Sequence, residues 1–220
     1  GEKVPITVRC PSGAGGRGGP FHSQSPEAWF CRVPGLKVVA PSTPYDAKGL
    51  LKSAIRDNNP VVYFEYKSLY RKIKGEVPDA EYAVPIGKAD MKREGEHATV
   101  ITYGATVHHC LEAAERISGE DGKEVEIIDL RTLYPIDTEA VLKSVRKTSR
   151  ALIAHEDVLT GGLGGEVSAL IMENAFEYLD APVQRVGAPD IPIPACPPLE
   201  DYYIPGADRI HAALKKLLAF

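Results

Sequence analysis

The sequence predicts an α/β protein made of two successive sets of alternating strands and helices. Three observations carry that expectation. Short β-branched runs of the kind buried in parallel sheets recur at Val4 to Arg9, Lys37 to Ala40 and Val61 to Glu65, then at Thr99 to Tyr103, Val125 to Leu130, Ala151 to Ala154 and Val183 to Val186. Helical signals fill most of the gaps, which implies right-handed βαβ crossovers. Between the two sets, from Tyr66 to about Glu96, periodicity dissolves into a polar, proline-bearing stretch that reads as a linker between domains.

Taken in order, the first strand runs into Pro11 to Phe30, which packs five glycines between Gly13 and Gly19 and then delivers a single histidine, His22. Glycine lets backbone approach a partner closely and adopt positive φ, so the stretch reads as a site rather than as core. Gly13, Gly15 and Gly18 fit G-x-G-x-x-G, but Pro20 interrupts where a dinucleotide-binding helix should begin. That helix is expected later, at Ser25-Pro26-Glu27, with serine as N-cap, proline at the first position and an acid in the first turn.

A better-signalled helix follows Lys37 to Ala40. Thr43-Pro44-Tyr45-Asp46 supplies N-cap, proline and acid, and Ala47, Leu50, Leu51, Ala54 and Ile55 form one apolar stripe. Asn58-Asn59-Pro60 then turns the chain into its third strand. In the second set, helices are expected near Thr106 to Ile117, Thr138 to Val145, Gly165 to Phe176 and Asp208 to Leu218.

Composition narrows the function classes. With 44% hydrophobic residues, 220 residues suffice for one large or two small packed domains. A net charge of −4 without a dense Lys/Arg block argues against nucleic acid or a membrane surface as partner. No apolar run approaches the ~18 residues of a membrane span. Cys10, Cys31, Cys110 and Cys196 lie apart, without a C-x-x-C pair, which suits a reducing compartment. The chain reads as soluble and intracellular.

Ligands of open α/β sheets gather at the C-terminal ends of strands. His22 lies beyond one such end, and its imidazole can exchange protons near neutral pH, so a catalytic role is set against a structural cap. His155-Glu156-Asp157 with Thr160-Gly161-Gly162 follows a later strand. There a structural or interface role is favoured, with the two acids capping the next helix. His108-His109 lacks partner ligands at metal spacing and reads as surface.

Several runs carry a resemblance. His22-Ser23-Gln24-Ser25-Pro26-Glu27-Ala28, Pro34-Gly35-Leu36-Lys37-Val38-Val39-Ala40-Pro41, Asp46-Ala47-Lys48-Gly49-Leu50-Leu51, Asp57-Asn58-Asn59-Pro60, Ile128-Asp129-Leu130-Arg131-Thr132-Leu133-Tyr134-Pro135 and His155 to Gly162 resemble the β subunit of 2-oxo acid dehydrogenase decarboxylase components. The resemblance covers the whole chain. It implies a three-layer α/β/α transketolase-like architecture: residues 1–90 as the C-terminal portion of a pyrimidine-binding domain and residues 91–220 as a transketolase C-terminal domain. The family's β subunit extends further at its N-terminus, where it carries the glutamate that activates the cofactor, so this chain is expected to be a fragment, split subunit or processed product, inactive without an α subunit and that N-terminal portion.

The implied activity is oxidative decarboxylation of branched-chain 2-oxo acids with acyl transfer to lipoamide, with pyruvate as the alternative substrate. Thiamine diphosphate, shared with an α subunit that holds Mg²⁺, is the implied cofactor. The implied partners are that α subunit, in an α₂β₂ heterotetramer, and a lipoyl-bearing acyltransferase core. Location would be cytoplasmic in a prokaryote and the mitochondrial matrix in a eukaryote. By the same resemblance His22 delivers protons during reductive acylation, Phe21 helps line the substrate pocket, and Val4, Ile6, Thr7, Ala54, Asp57 and Asn59 surround a potassium ion. A water-filled helix C-cap is the alternative for the last. A different class of function, a catalytically silent module that completes a partner's site, stands beside the enzyme reading. Exposed contacts for association are expected at Trp29-Phe30, Val158-Leu159 and Ile191 to Pro198.

Overall fold

A computed structural model, describing residues 2–220, contains two mixed sheets. The first is built from β1 (Thr7–Ser12), β2 (Lys37–Val39), β3 (Val61–Tyr66) and β7 (Thr132–Tyr134), in the order β1-β3-β2-β7. The first three strands are parallel and β7 is antiparallel to β2. The second sheet contains β4 (Asp90–Arg93), β5 (Ala98–Thr102), β6 (Val125–Asp129), β8 (Ala151–Val158) and β9 (Gln184–Ala188), ordered β4-β6-β5-β8-β9, with only β4 antiparallel.

Side-chain alternation along the strands creates the layers. In the second sheet Val100, Ile127 and Leu152 face α4 (Thr106–Asp121) and α8 (Ala207–Leu217), while their neighbours Ile101, Ile128 and Ile153 face α5 (Thr138–Thr148) and α6 (Leu163–Ala175). The first sheet behaves alike. Val39, Val61 and Tyr63 pack on α3 (Pro44–Arg56), whereas Val38, Val62 and Phe64 join the core that also contains α5 and α6. That shared core runs across both sheets, so the fold is α/β with helices on both faces. Three shorter helices complete it: α1 (Gly19–His22), α2 (Glu27–Cys31) and α7 (Pro197–Tyr203).

Local chemistry explains α3 well. The Thr43 side chain accepts from the Asp46 amide, Pro44 occupies the first turn, and Leu50 and Ala54 are buried. Ile55, placed by periodicity on the apolar stripe, is instead exposed. Elsewhere the structure differs from expectation. The first strand pairs from Thr7, three residues later than its apolar run, because the amides of Val4 and Ile6 are spent on Asn58 O and Val4 O. It continues through Pro11, which an edge strand tolerates.

The Tyr66 to Glu96 stretch is tied down rather than free. Tyr82, Val84 and Ile86 pack against α3, and Ser53 Oγ donates to Val84 O. Gly49 makes this possible, since a Cβ there would lie 2.5 Å from Val84 Cγ2. Strand β4 then pairs with β6.

A buried ionic network joins the sheets at this point. Arg131, in the turn between β6 and β7, reaches Asp46 on α3 at 3.0 Å, and Lys92 on β4 bridges Asp46 and Asp90 at 3.0 and 2.6 Å. Burial pushes the Asp129 carboxyl up to about 6, against the Ser42 hydroxyl and the Lys92 charge. Burial alone would also raise Asp46, but Thr43, Lys92 and Arg131 outweigh it and hold that carboxyl below its ordinary value.

Candidate functional site

The glycine stretch forms the loop between β1 and α2. Gly13 and Gly15 adopt φ of 83° and 85°, and a Cβ on Gly13 would sit 2.7 Å from the Tyr66 ring. What approaches this backbone is the chain itself. The Ala14 amide donates to Glu156 Oε1, and the Arg17 amide donates to Glu200 at 3.1 Å. The donors expected to meet a ligand are therefore committed to the chain's own carboxylates.

Beyond them the loop lifts Phe21 and His22 into solvent at the end of α1. Phe21 is 88% exposed, and His22 is exposed too. The backbone beneath is fixed: Ser23 N donates to Gly19 O at 3.0 Å, Gln24 Nε2 to Pro20 O at 3.0 Å, and the Lys67 ammonium to His22 O. An aromatic ring and an imidazole thus stand side by side on a constrained turn.

Under the loop lies a cluster of buried titratable side chains. Ser25 does not cap α2; its hydroxyl donates to Glu156 at 3.3 Å, and Pro26 takes the cap position. Glu27 is the first-turn acid of α2, as expected. It is fully buried and accepts from the Tyr66 hydroxyl at 2.6 Å. Burial, with smaller pushes from Asp157 and Glu156, raises the Glu27 carboxyl to about 8.

Glu156 and Asp157 do not cap the helix that follows. Strand β8 runs on to Val158 and buries both Glu156 and His155, and α6 begins at a Gly162 cap without any side-chain bond. Burial raises Glu156 to about 7 and Asp157 to about 6. His155 stacks on Tyr103 with centroids 6.2 Å apart, turns Nδ1 to Asp157 O at 3.0 Å, and is pushed down to about 4 by burial. Neutral and enclosed, it fits a structural place.

The six residues of the expected cation site converge where β1 meets the C-terminal end of α3. Val4 N donates to Asn58 O at 2.9 Å, Asp57 N to Ala54 O at 3.2 Å, and Val61 N to Ile6 O at 2.8 Å, while Thr7 pairs with Val61. Asp57 accepts from the Asn59 amide at 2.8 Å and is also paired with Lys37. An ammonium thus already neutralises the one carboxylate. Among the described residues no group of three or more His, Cys, Asp or Glu could hold a metal.

Two further features were not legible in sequence. A cavity of about 390 Å³ opens beside α3, lined in part by Arg9, Tyr63, Glu65 and Tyr70, with Arg9 paired to Glu65. His108, expected at the surface, reaches Ser42 O at 2.8 Å. Of the expected association contacts, Trp29 is 72% exposed, but Phe30 packs edge-on against Phe64 and Ile193 is buried. No helix among the described residues is long and apolar enough to cross a membrane.

Comparison with known proteins places these features. The chain is 52% identical over 217 residues to the 2-oxoisovalerate dehydrogenase subunit beta of Bacillus subtilis (strain 168), covering 98% of this chain and 66% of that protein. It is 47% identical to the same organism's acetoin:2,6-dichlorophenolindophenol oxidoreductase subunit beta and 45% identical to its pyruvate dehydrogenase E1 component subunit beta, covering 98% of this chain and 63% and 66% of those proteins. The chain spans about two thirds or less of the length of these relatives. A solved structure titled "Split gene transketolase, inactive beta4 tetramer" superposes with a TM-score of 0.83 at 26% identity, over 99% of this chain and 68% of that one. Residues 1–72 match the family described as transketolase, pyrimidine binding domain, and residues 87–210 the one described as transketolase, C-terminal domain. The chain belongs to the transketolase family, its pyrimidine-binding sequence leading into the C-terminal domain across the two sheets described above.

Proposed function

We propose that this chain serves as β subunit of a 2-oxo acid dehydrogenase decarboxylase component, acting on branched-chain 2-oxo acids and passing the acyl group to lipoamide. The observation that carries this reading is the exposed Phe21-His22 pair held on a constrained turn. The names of the relatives support the reaction class, and the 52% identity to a 2-oxoisovalerate enzyme favours branched-chain substrates over pyruvate. Residues 1–90 would form the pyrimidine-binding portion and 91–220 the C-terminal domain.

The donor set suits one end of thiamine diphosphate. The exposed surface offers a ring and an imidazole for the reacting end, and the magnesium of the diphosphate is assigned to an α subunit in an α₂β₂ assembly. When bound, the cofactor supplies the electron sink for decarboxylation. His22 then delivers a proton during acyl transfer, and Phe21 packs against the substrate side chain and excludes water. A lipoyl-bearing acyltransferase completes the sequence. Potassium at the β1–α3 junction is the structural ion of this reading, with Lys37 its competitor for Asp57.

His22→Ala in a full-length enzyme, reconstituted with its α subunit and the N-terminal portion of the β subunit, should lower the lipoamide-dependent rate about 10²–10⁴-fold without changing the fold. A loss below about threefold would overturn the role of His22. A second reading, a silent self-associating module, draws on the inactive tetramer named above. It predicts no decarboxylation in the mixture with an α subunit even when the N-terminal segment is supplied.

A further inference from the structure

The loop that carries Phe21 and His22 rests on two carboxyl groups that no ordinary salt bridge explains. Glu156 binds it at both ends: Oε1 accepts from the Ala14 amide at the start and from the Ser25 hydroxyl at the finish. Glu27, two residues past Ser25, anchors the following helix to Tyr66 at 2.6 Å. Tyr66 is itself immobilised, because a Cβ on Gly13 or Gly104 would fall 2.7 or 2.2 Å from its ring. Both acids are buried.

The groups facing them are mostly acids and phenols. Glu27 meets Tyr66 on β3, Glu156 and Asp157 on β8, and the Cys31 thiol on its own helix, and its charge also bears on Tyr103 after β5. Glu156 meets Glu200 and Tyr203 on α7 and the Tyr66 and Tyr103 phenols, with Lys67 as the nearby cation. Lys67 gives its own hydrogen bond to His22 O. Buried side-chain atoms without a protein hydrogen-bond partner gather here as well: Glu27 Oε2, the Tyr103 hydroxyl, and the hydroxyls of Ser12 and Ser23. A carboxyl that keeps its proton carries no charge to be buried among such unpartnered atoms, whereas two carboxylates close together would repel.

We propose that Glu27 and Glu156 are positioning residues forming a proton-dependent latch, which holds the 13–25 loop in place while the carboxyls are protonated and loosens it as they ionise. Its bearing on catalysis rests on the role proposed for His22; the latch itself does not. The sign follows from burial. Both carboxyls are raised in the closed loop, to about 8 and about 7, and return towards ordinary values when the loop opens. The closed state therefore binds more protons, and its stability is full below about pH 4.5 and is lost as pH rises through the folded values.

Hydrogen exchange read by mass spectrometry on the full 220-residue chain tests this. After correction for the intrinsic base dependence of exchange, opening of residues 13–25 should rise about tenfold per pH unit for each carboxyl between about pH 5 and 7, while β5 amides stay flat. The Glu27→Gln/Glu156→Gln double variant should flatten the loop profile. A flat profile in the unaltered chain overturns the latch, whether or not the double variant folds. So does a double variant that folds and keeps the original slope. His22→Ala separates the two proposals: it leaves the exchange profile unchanged, so a steep profile with His22→Ala fully active refutes the catalytic role alone, and a flat profile with His22 essential refutes the latch alone.

Discussion

Arg131→Met should be among the costlier single changes in the chain. The guanidinium donates to Asp46 Oδ1 at 3.0 Å, to Lys88 O at 3.2 Å and to Ala89 O at 3.1 Å, while its backbone amide meets Asp129 Oδ1 at 3.0 Å. Methionine keeps most of the apolar stem and removes the charge with the three side-chain bonds. Breaking a buried pair by removing one partner costs about 3–5 kcal/mol. Lys92 remains 3.0 Å from Asp46, so the lower figure applies. At roughly 2–4 °C per kcal/mol for a chain of this size, the melting temperature should fall about 6–12 °C at pH 7. The gap should narrow below about pH 4. Asp46 is held below its ordinary value when folded, so its contribution is present above the unfolded carboxylate value and is lost as pH falls through the folded one. Calorimetry of both chains across that range measures it. A drop under about 2 °C at neutral pH would show that the network joining α3 to β4 and β6 contributes nothing beyond its own desolvation cost.

Replacing sodium by potassium at constant ionic strength should raise the melting temperature if a cation seats at the β1–α3 junction, because a ligand of the folded state alone stabilises by mass action. Identical curves in the two salts would leave the Lys37–Asp57 pair as the whole account of that corner. Sedimentation should find the isolated chain self-associating through exposed apolar groups such as Trp29, Phe21, Leu199 and Tyr202, and a monomer over a wide concentration range would refute this.

What the sequence made legible was local. Thr43, Pro44 and Asp46 announce α3 because an N-cap and its first turn are contiguous, and the β-branched runs of β3, β5, β6 and β8 announce themselves because both faces of those strands are buried. Exit points and partners were not legible. Ser25 has the chemistry of a cap, yet Glu156, 131 residues away, takes its hydroxyl instead. His155-Glu156-Asp157 looks like a polar loop after Ala154, and only the close approach of Gly162 and Gly164 to the His155 ring shows that the strand continues inside. Strand β7 is three residues long and followed by Pro135, so nothing in its own pattern announces pairing with a strand some hundred residues earlier. His22 was singled out from residue type and loop position, and Phe21 from the family resemblance; Glu156 and Asp157 were read as helix caps because burial is a property of the surroundings.

The pairing of β2 with β7 bears on which motions are open to the molecule. A chain organised as two sheets in series invites the idea of halves that swing about a central hinge. Here the later half sends a strand back to finish the earlier sheet, the Arg131 backbone carbonyl accepts from Ala40 N at 2.8 Å, and the ionic network sits beside the same crossing. Rotation of one half against the other would have to unzip that ladder. Slow, large-amplitude motion is thereby diverted from the bodies of the two sheets to segments that cross no such seam.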